Sequence, residues 1–424
     1  MRLKVFVLAL LVSSSLLAQT VAQTDPRVDR IFHDVPLIDG HNDLPWQFRE
    51  RVQNQLGKLD LRADQSHLEK PLHTDVARLR QGGLGAQFWS VYVPAEMRGA
   101  DAVQATFEQI DVVHRLDATY PDVLALALTA DDIERIHKSG RIASLIGVEG
   151  GHSINNSLAV LRQLYAAGAR YMTLTHFQNN DWADSATDAP KHGGLTPFGK
   201  AVVGEMNRLG MLVDLSHVAP STMHATLDVT AAPVIFSHSS ARGLVGHSRN
   251  VPDDVLKRME QNGGMIMVTF VPGFVSEKVR GYGAMRDAEE ARLKALHQGE
   301  PESVKAGLAA WDAANPKPRA AISDVADHIE YAIRVAGEDH VGIGGDLDGI
   351  ESTPVGLESV ADYPKLFAEL LRRGHSEAQL KKLAGGNVLR VMRQAEAVAA
   401  RLQKERPASD VLIADVDKDT ASVK

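Results

Sequence analysis

Eight short apolar runs recur along the chain, each closing on glycine or on a polar residue, with amphipathic stretches between them. They cover residues 35–43, 86–92, 143–150, 171–176, 210–217, 233–239, 264–270 and 340–349. The runs are nearly continuous rather than alternating, which is the pattern of strands buried on both faces of a parallel sheet. The intervening stretches carry a helical period. Residues 321–337 place Ile322, Val325, Ile329, Ile333 and Ala336 on one face and stop at Gly337. Residues 158–168 and 197–210 behave in the same way and end in glycine. Strands and helices alternating in this number predict an α/β fold, a (β/α)8 TIM barrel. An open doubly wound sheet is the competing arrangement. No Gly-x-Gly-x-x-Gly follows the first run, so the dinucleotide-binding form of that sheet has no support.

Two regions depart from the repeat. Residues 272–319, rich in Ala, Glu, Lys and Arg and holding Trp311, are too long for a plain connection. They predict a helical insertion before the eighth strand, positioned to cover the barrel mouth. Residues 357–403 predict two or three extra C-terminal helices, and residues 407–424 a mobile tail. At the other end, Arg2 and Lys4 precede an apolar run over 5–12, and small or polar residues lead to Ala22. This is the layout of a cleavable signal peptide over 1–22, which leaves 23–406 as the barrel domain. The leader's apolar stretch is short for a bilayer, and no later run reaches spanning length, so no stable membrane anchor is expected.

Charge and composition narrow the function. With 46 Lys+Arg against 54 Asp+Glu, the formal net charge is −8. There is no long basic cluster, which argues against nucleic acid or an anionic membrane as partner. Cysteine is absent from the chain. A thiol nucleophile, thiolate ligands and disulfides are thereby excluded, and any metal must be held by His, Asp and Glu.

Residues of that type gather where the runs end. His41, Asp43, Glu149, His176, His217, His238, Asp346 and Asp348 stand at six of the run ends. In a parallel barrel this is the face that carries the active site. His41 and Asp43, two apart, face one side if both lie on a strand. Two divalent ions about 3.5–4 Å apart can share a carboxylate and a hydroxide nucleophile. Glu149, at the end of a central strand, suits the shared carboxylate. Imidazole with carboxylate favours zinc or a similar first-row ion. Asp346 is the best-placed group to take a proton from the attacking water and pass it to a leaving amine. Asp348, two residues further, is assigned to the substrate side of the site, in a turn. His152, after Gly150-Gly151, reads as a helix-start group rather than a ligand.

The segments IDGHNDLP, GVEGGHSI, YMTLTH followed by WAD, VDLSHV, FSHSSAR followed by RNVPDD, and GIGGDLDG resemble those of a known family. In order and spacing, over about residues 35–392, they are similar to the membrane (renal) dipeptidase family, peptidase family M19 of the amidohydrolase superfamily. The resemblance implies a (β/α)8 barrel, a site of two Zn2+ ions per chain, hydrolysis of dipeptides and a homodimer. Carried over by position, it implies that His41, Asp43 and Glu149 hold the first zinc. Glu149 would bridge to a second, completed by His217 and His238. It further implies His176 at the substrate or transition-state oxygen, Arg249 at the substrate and Asp346 as the catalytic aspartate. Arg249 suits its role, because a guanidinium grips a C-terminal carboxylate through two parallel hydrogen bonds. Animal members carry disulfides and a lipid anchor, whereas this chain has no cysteine and no hydrophobic tail. It is therefore expected in an exported, periplasmic form. L,D-dipeptides, β-lactams and N-acyl amino acids are alternative substrates for the same attack. A periplasmic metal- or peptide-binding protein is the non-enzymatic alternative.

Overall fold

Among the described residues, nine parallel strands form the centre of the fold: β1 (Leu37–Asn42), β2 (Leu84–Tyr92), β3 (Leu124–Leu126), β4 (Ile142–Glu149), β5 (Ala169–Thr173), β6 (Leu212–Asp214), β7 (Val234–Ser239), β8 (Met265–Val268) and β9 (Val341–Ile343). The structure, a computed structural model, describes residues 25–417. The expected signal peptide over 1–22 and residues 418–424 lie outside the described residues. Eight of the strands close on themselves in the order β1, β2, β4, β5, β6, β7, β8, β9 and back to β1. The fold is thus the expected (β/α)8 TIM barrel. The ninth, β3, borders only the start of β4: Ala143 pairs with Ala86 on one side and with Ala125 on the other.

The runs are apolar because both faces are covered. Every residue of β1, β4, β5, β7 and β8 is buried. Inside, Ile38, Phe88, Leu145, Tyr171, Ile235 and Met267 belong to one apolar cluster. Two glycines make room for it. A Cβ on Gly147 would come within 2.0 Å of the Tyr171 ring, and one on Gly40 within 2.5 Å of the Ser237 carbonyl oxygen. The Tyr171 phenol consequently reaches the upper end of the barrel.

Several strands stop before the corresponding apolar run does. β1 ends at Asn42, and Asp43 is the N-cap of the helix Leu44–Val52 rather than a strand residue. β6 ends at Asp214 and β9 at Ile343. Beyond them His217, Asp346 and Asp348 take positive φ, at 70°, 60° and 62°. This left-handed conformation is uncommon for residues with a side chain and concentrates where function fixes geometry.

The insertion consists of the short helix Pro272–Val275 and a hairpin of Glu277–Leu296 with Pro301–Ala314. The two long helices pack on each other. The Tyr282 and Trp311 rings lie 5.4 Å apart, Arg286 Nε meets Asp312 Oδ1 at 2.8 Å, and Gly307 leaves space for Leu293. The expected covering of the mouth narrows to the first turn, where Phe274 lies against His247 and Arg249. The extra C-terminal helices are Tyr363–Arg372, Glu377–Lys381 and Asn387–Glu405. The segment expected as a mobile tail is tied, up to Asp417, to the helix Pro197–Leu209. Thr196 Oγ1 and Phe198 N donate to the Asp417 carboxylate at 2.6 and 3.1 Å. Among the described residues no helix is long and apolar enough to cross a membrane.

Candidate metal centre and substrate site

Glu149, the last residue of β4, stands at the middle of the mouth with its two carboxylate oxygens turned to different neighbours. Oε2 faces His41 Nε2 at 3.6 Å. Oε1 faces His217, His238 and His176, each through Nε2, at 3.0, 3.5 and 3.7 Å. Asp43 Oδ2 is 3.4 Å from His41 Nε2. Three sets of donor atoms are close enough to share an ion: His41, Glu149 and His238; Glu149, His176 and His217; and His41, Asp43 and Asp346. The structure therefore brings together His41, Asp43, Glu149, His176, His217, His238 and Asp346, which six separate chain segments supply.

Hydrogen bonds decide which imidazole nitrogen is offered. His41 Nδ1 lies 2.8 Å from the Tyr171 hydroxyl, which itself donates to the Gly40 carbonyl at 3.2 Å. The phenol can only accept from His41, so Nδ1 carries a proton and Nε2 is the nitrogen turned to Asp43 and Glu149. Against the effect of burial, Tyr171 and these two carboxylates raise the His41 pKa well above the usual imidazole range, so a cation bound there would displace the Nε2 proton. That nitrogen is buried and, among the described residues, has no hydrogen-bond partner. His238 repeats the device: its Nδ1 meets Ser237 Oγ at 2.8 Å, and Ser237 Oγ donates to Asp214 Oδ2 at 2.6 Å. Orienting partners of this kind accompany metal-binding histidines. His217 Nε2 and His238 Nε2 lie 2.9 Å apart on the same carboxylate oxygen's side. Lone pairs that converge on carboxylate oxygens in a buried setting fit a first-row divalent ion.

The charges are consistent with that fit. Burial drives His217, His238 and His176 below the usual imidazole range, and the Arg249 charge adds to the effect. All three are neutral donors. Burial alone would push the Glu149 carboxyl up, but His41, His176 and His217 outweigh it and hold it well below the usual range. Burial, with the negative charges of Asp43 and Glu149, pushes Asp346 well above the usual carboxylate range.

Asp346 is placed by main-chain bonds. Its N–H donates to the His41 carbonyl at 3.0 Å, and the Asp43 N–H donates to the Leu347 carbonyl at 3.0 Å. Gly349 completes the turn, where a Cβ would lie 2.0 Å from Asp43 Oδ2 and 2.8 Å from Asp346 Oδ1. Asp348 turns elsewhere. Its Oδ1 accepts the His73 N–H at 2.6 Å while its own N–H donates to His73 Nδ1 at 2.9 Å. It anchors the segment around His73 and Thr74 and belongs to none of the three donor sets. Asp39 fastens β1 below the site: it accepts the His41 and Gly345 N–H groups at 2.8 and 3.0 Å and the Tyr363 hydroxyl. His152 lies in the short turn Gly151–Ile154, where burial lowers its pKa to about 4.

Arg249 is 1% exposed, yet among the described residues Nε and Nη1 of its guanidinium have no hydrogen-bond partner. Nη2 donates to the His238 carbonyl at 3.4 Å, and Phe274 lies 5.5 Å beneath the cation. Burial lowers its pKa to about 10, still far above neutrality. A buried cation with free donors costs several kcal/mol, on the order seen for unpaired buried charges, until an anion fills the space. Tyr171, Ser237 and Asp214 were not among the residues singled out from the sequence. Each lies within an apolar run, below the run end at which the candidate ligands were sought.

A family model, that of membrane dipeptidases (peptidase family M19), matches residues 26–406. The chain belongs to this family. It is 42% identical over 386 residues to the dipeptidase verJ of Clonostachys rogersoniana, covering 88% of each chain. Among solved structures it is similar to the probable dipeptidase PvdM from Pseudomonas aeruginosa, with a TM-score of 0.75 at 24% identity over 88% of this chain and 98% of that one. It is also similar to a metallo peptidase from Rhodobacter sphaeroides liganded with a phosphinate mimic of the dipeptide L-Ala-D-Ala, with a TM-score of 0.69 at 21% identity over 85% and 99%. The solved structures establish the shared barrel. The family assignment and the donor sets together make this M19 member's mouth a metal-binding site.

Proposed function

We propose that the protein is a dipeptidase that uses two zinc ions and hydrolyses the single peptide bond of a dipeptide. The observation that carries this reading is the buried Arg249 guanidinium, with two donors unpaired among the described residues, near a glutamate that two donor sets share and that turns Oε2 to His41 and Oε1 to His176, His217 and His238. Arg249 would bind the substrate's C-terminal carboxylate bidentately and hold the scissile bond over Glu149. His41, Asp43 and Glu149 would hold one ion, and Glu149, His217 and His238 the other. When bound, such ions supply Lewis acidity at the scissile carbonyl. His176, neutral at physiological pH, would hydrogen-bond the carbonyl oxygen as its charge develops. Asp346 would take the proton of the attacking water and return it to the leaving amine.

We also propose export to the periplasm, supported by the leader-like sequence of residues 1–22, and a homodimer, supported by family resemblance. L,D-dipeptides are included in the proposed substrate range. The test is metal analysis of the purified protein together with a screen of L,L- and L,D-dipeptides. Two equivalents of zinc with turnover of dipeptides is the expected result. Full metal loading without turnover of any dipeptide would overturn the reading and move the assignment to other amides, β-lactams or N-acyl amino acids.

A further inference from the structure

Immediately after His176 the chain presents Phe177, a large apolar side chain that is 51% exposed. Among the described residues, the other large apolar side chains exposed beyond a third are aliphatic or methionine. Single exposed apolar residues are ordinary on a protein surface. Phe177 differs from them in its position. Its ring centroid lies 4.1 Å from that of His176 and 5.1 Å from that of His217. On the other flank of His176 stands Tyr92 at 5.0 Å, itself edge-on to Trp46 at 4.8 Å. A wall of rings thus runs along the mouth, and Phe177 is its exposed end.

The exposure does not come from a loose loop. Thr187 Oγ1 donates to the Phe177 carbonyl at 2.8 Å, and Ser185 Oγ donates to the His176 carbonyl at 2.6 Å. Asp184 accepts the N–H groups of Lys191, His192 and Gly194 at 3.0, 2.9 and 3.1 Å and so closes the loop behind them. The main chain on both sides of Phe177 is held by these bonds. Its ring is therefore kept half in water, in van der Waals range of two imidazoles on which the proposed chemistry depends.

We propose that Phe177 is a specificity-determining residue that packs against one substrate side chain and selects dipeptides carrying a bulky apolar residue. This rests on the dipeptidase reading above. A substrate held at one end by Arg249 and over Glu149 at its peptide bond has only its side chains left to meet the wall. A leucine or phenylalanine side chain laid on the ring removes apolar surface of both from water, whereas glycine gains nothing. Discrimination between apolar groups by such contacts is about 10- to 200-fold.

The test compares wild type, Phe177→Ala and Phe177→Leu on Gly-Gly and on dipeptides with Leu or Phe at each position, with bound metal measured in each protein. For Phe177→Ala the expected result is a KM raised about tenfold for one set of apolar dipeptides, consistent with that range. Gly-Gly kinetics, kcat and metal content should be unchanged, and Phe177→Leu should restore most of the preference. An equal loss on Gly-Gly, or metal loss, would overturn the proposal, because Phe177 would then serve only to pack the histidines. No change on any substrate would overturn it as well. A wild-type protein that holds metal and cleaves no dipeptide would instead remove the dipeptidase reading, and this proposal with it.

Discussion

The two sides of the Glu149 carboxylate are built differently. On the Oε2 side, His41 is held by a hydrogen bond from Nδ1 to Tyr171, and its neighbours Asp43 and Asp346 are cross-linked through the main chain. On the Oε1 side, His238 has the Ser237 and Asp214 relay, whereas His217 Nδ1 has no hydrogen-bond partner among the described residues. His217 is oriented by its left-handed backbone and by the rings of His176 and His238. The first side is therefore fixed by directional bonds, and half of the second by backbone geometry and packing. Directional bonds set the tautomer as well as the position, so removing them changes which nitrogen is offered. Packing sets position alone. The substrate groups divide similarly: Asp346 belongs to the first side, and Arg249, tied to the His238 carbonyl, to the second.

Substitutions can separate the sides. The largest effect is expected for Asp346→Asn, which removes proton transfer without removing a ligand of the proposed zinc pair. Turnover should fall by about 10²–10⁴-fold, the usual contribution of general acid–base catalysis, with metal content near wild type. Arg249→Ala should cost less and act selectively. The loss should be about tenfold or more in kcat/KM for dipeptides, as expected for a charge-assisted bond, and smaller for an amide that lacks a free carboxylate. Equal losses on both substrates would contradict the clamp. Tyr171→Phe and Ser237→Ala each strip the orienting partner from one histidine, so each should weaken metal binding about 10- to 100-fold at its own side only. Competition with a chelator, following release of each ion, would read this. The smallest effect is expected where no directional bond exists: replacing Phe177 with Leu should leave both affinities within about twofold, because His217 keeps its backbone and its other ring neighbours.

Much of the barrel can be read from the chain because parallel strands are covered on both faces, and continuous apolar runs such as 143–150 and 233–239 record this directly. The metal-binding residues are legible for a related reason. Polar residues such as Glu149 and His238 interrupt those runs at the end where loops gather. Three features are not legible. β3 is only Leu124–Leu126, too short to carry a period. β6 and β9 end early, and His217, Asp346 and Asp348 beyond them take a positive φ that their residue types do not signal. Tyr171, Ser237 and Asp214 act through atoms one layer below the mouth; the sequence places them inside apolar runs without saying which histidine each would meet. The insertion was legible as helix, but its docking through Phe274 depends on contacts with Arg249 and His247 from a distant loop.

The central claim is that one carboxylate joins the two sides. Its most direct test is metal stoichiometry of Glu149→Gln against wild type, measured on folded, gel-filtered protein by elemental mass spectrometry. An amide keeps the size of the side chain but lacks the second anionic oxygen, so neither side retains its charge balance. About two zinc ions per wild-type chain are expected, with a loss at both positions together in the variant. Retention of both ions, or clean loss of one with the other held at wild-type affinity, would contradict it.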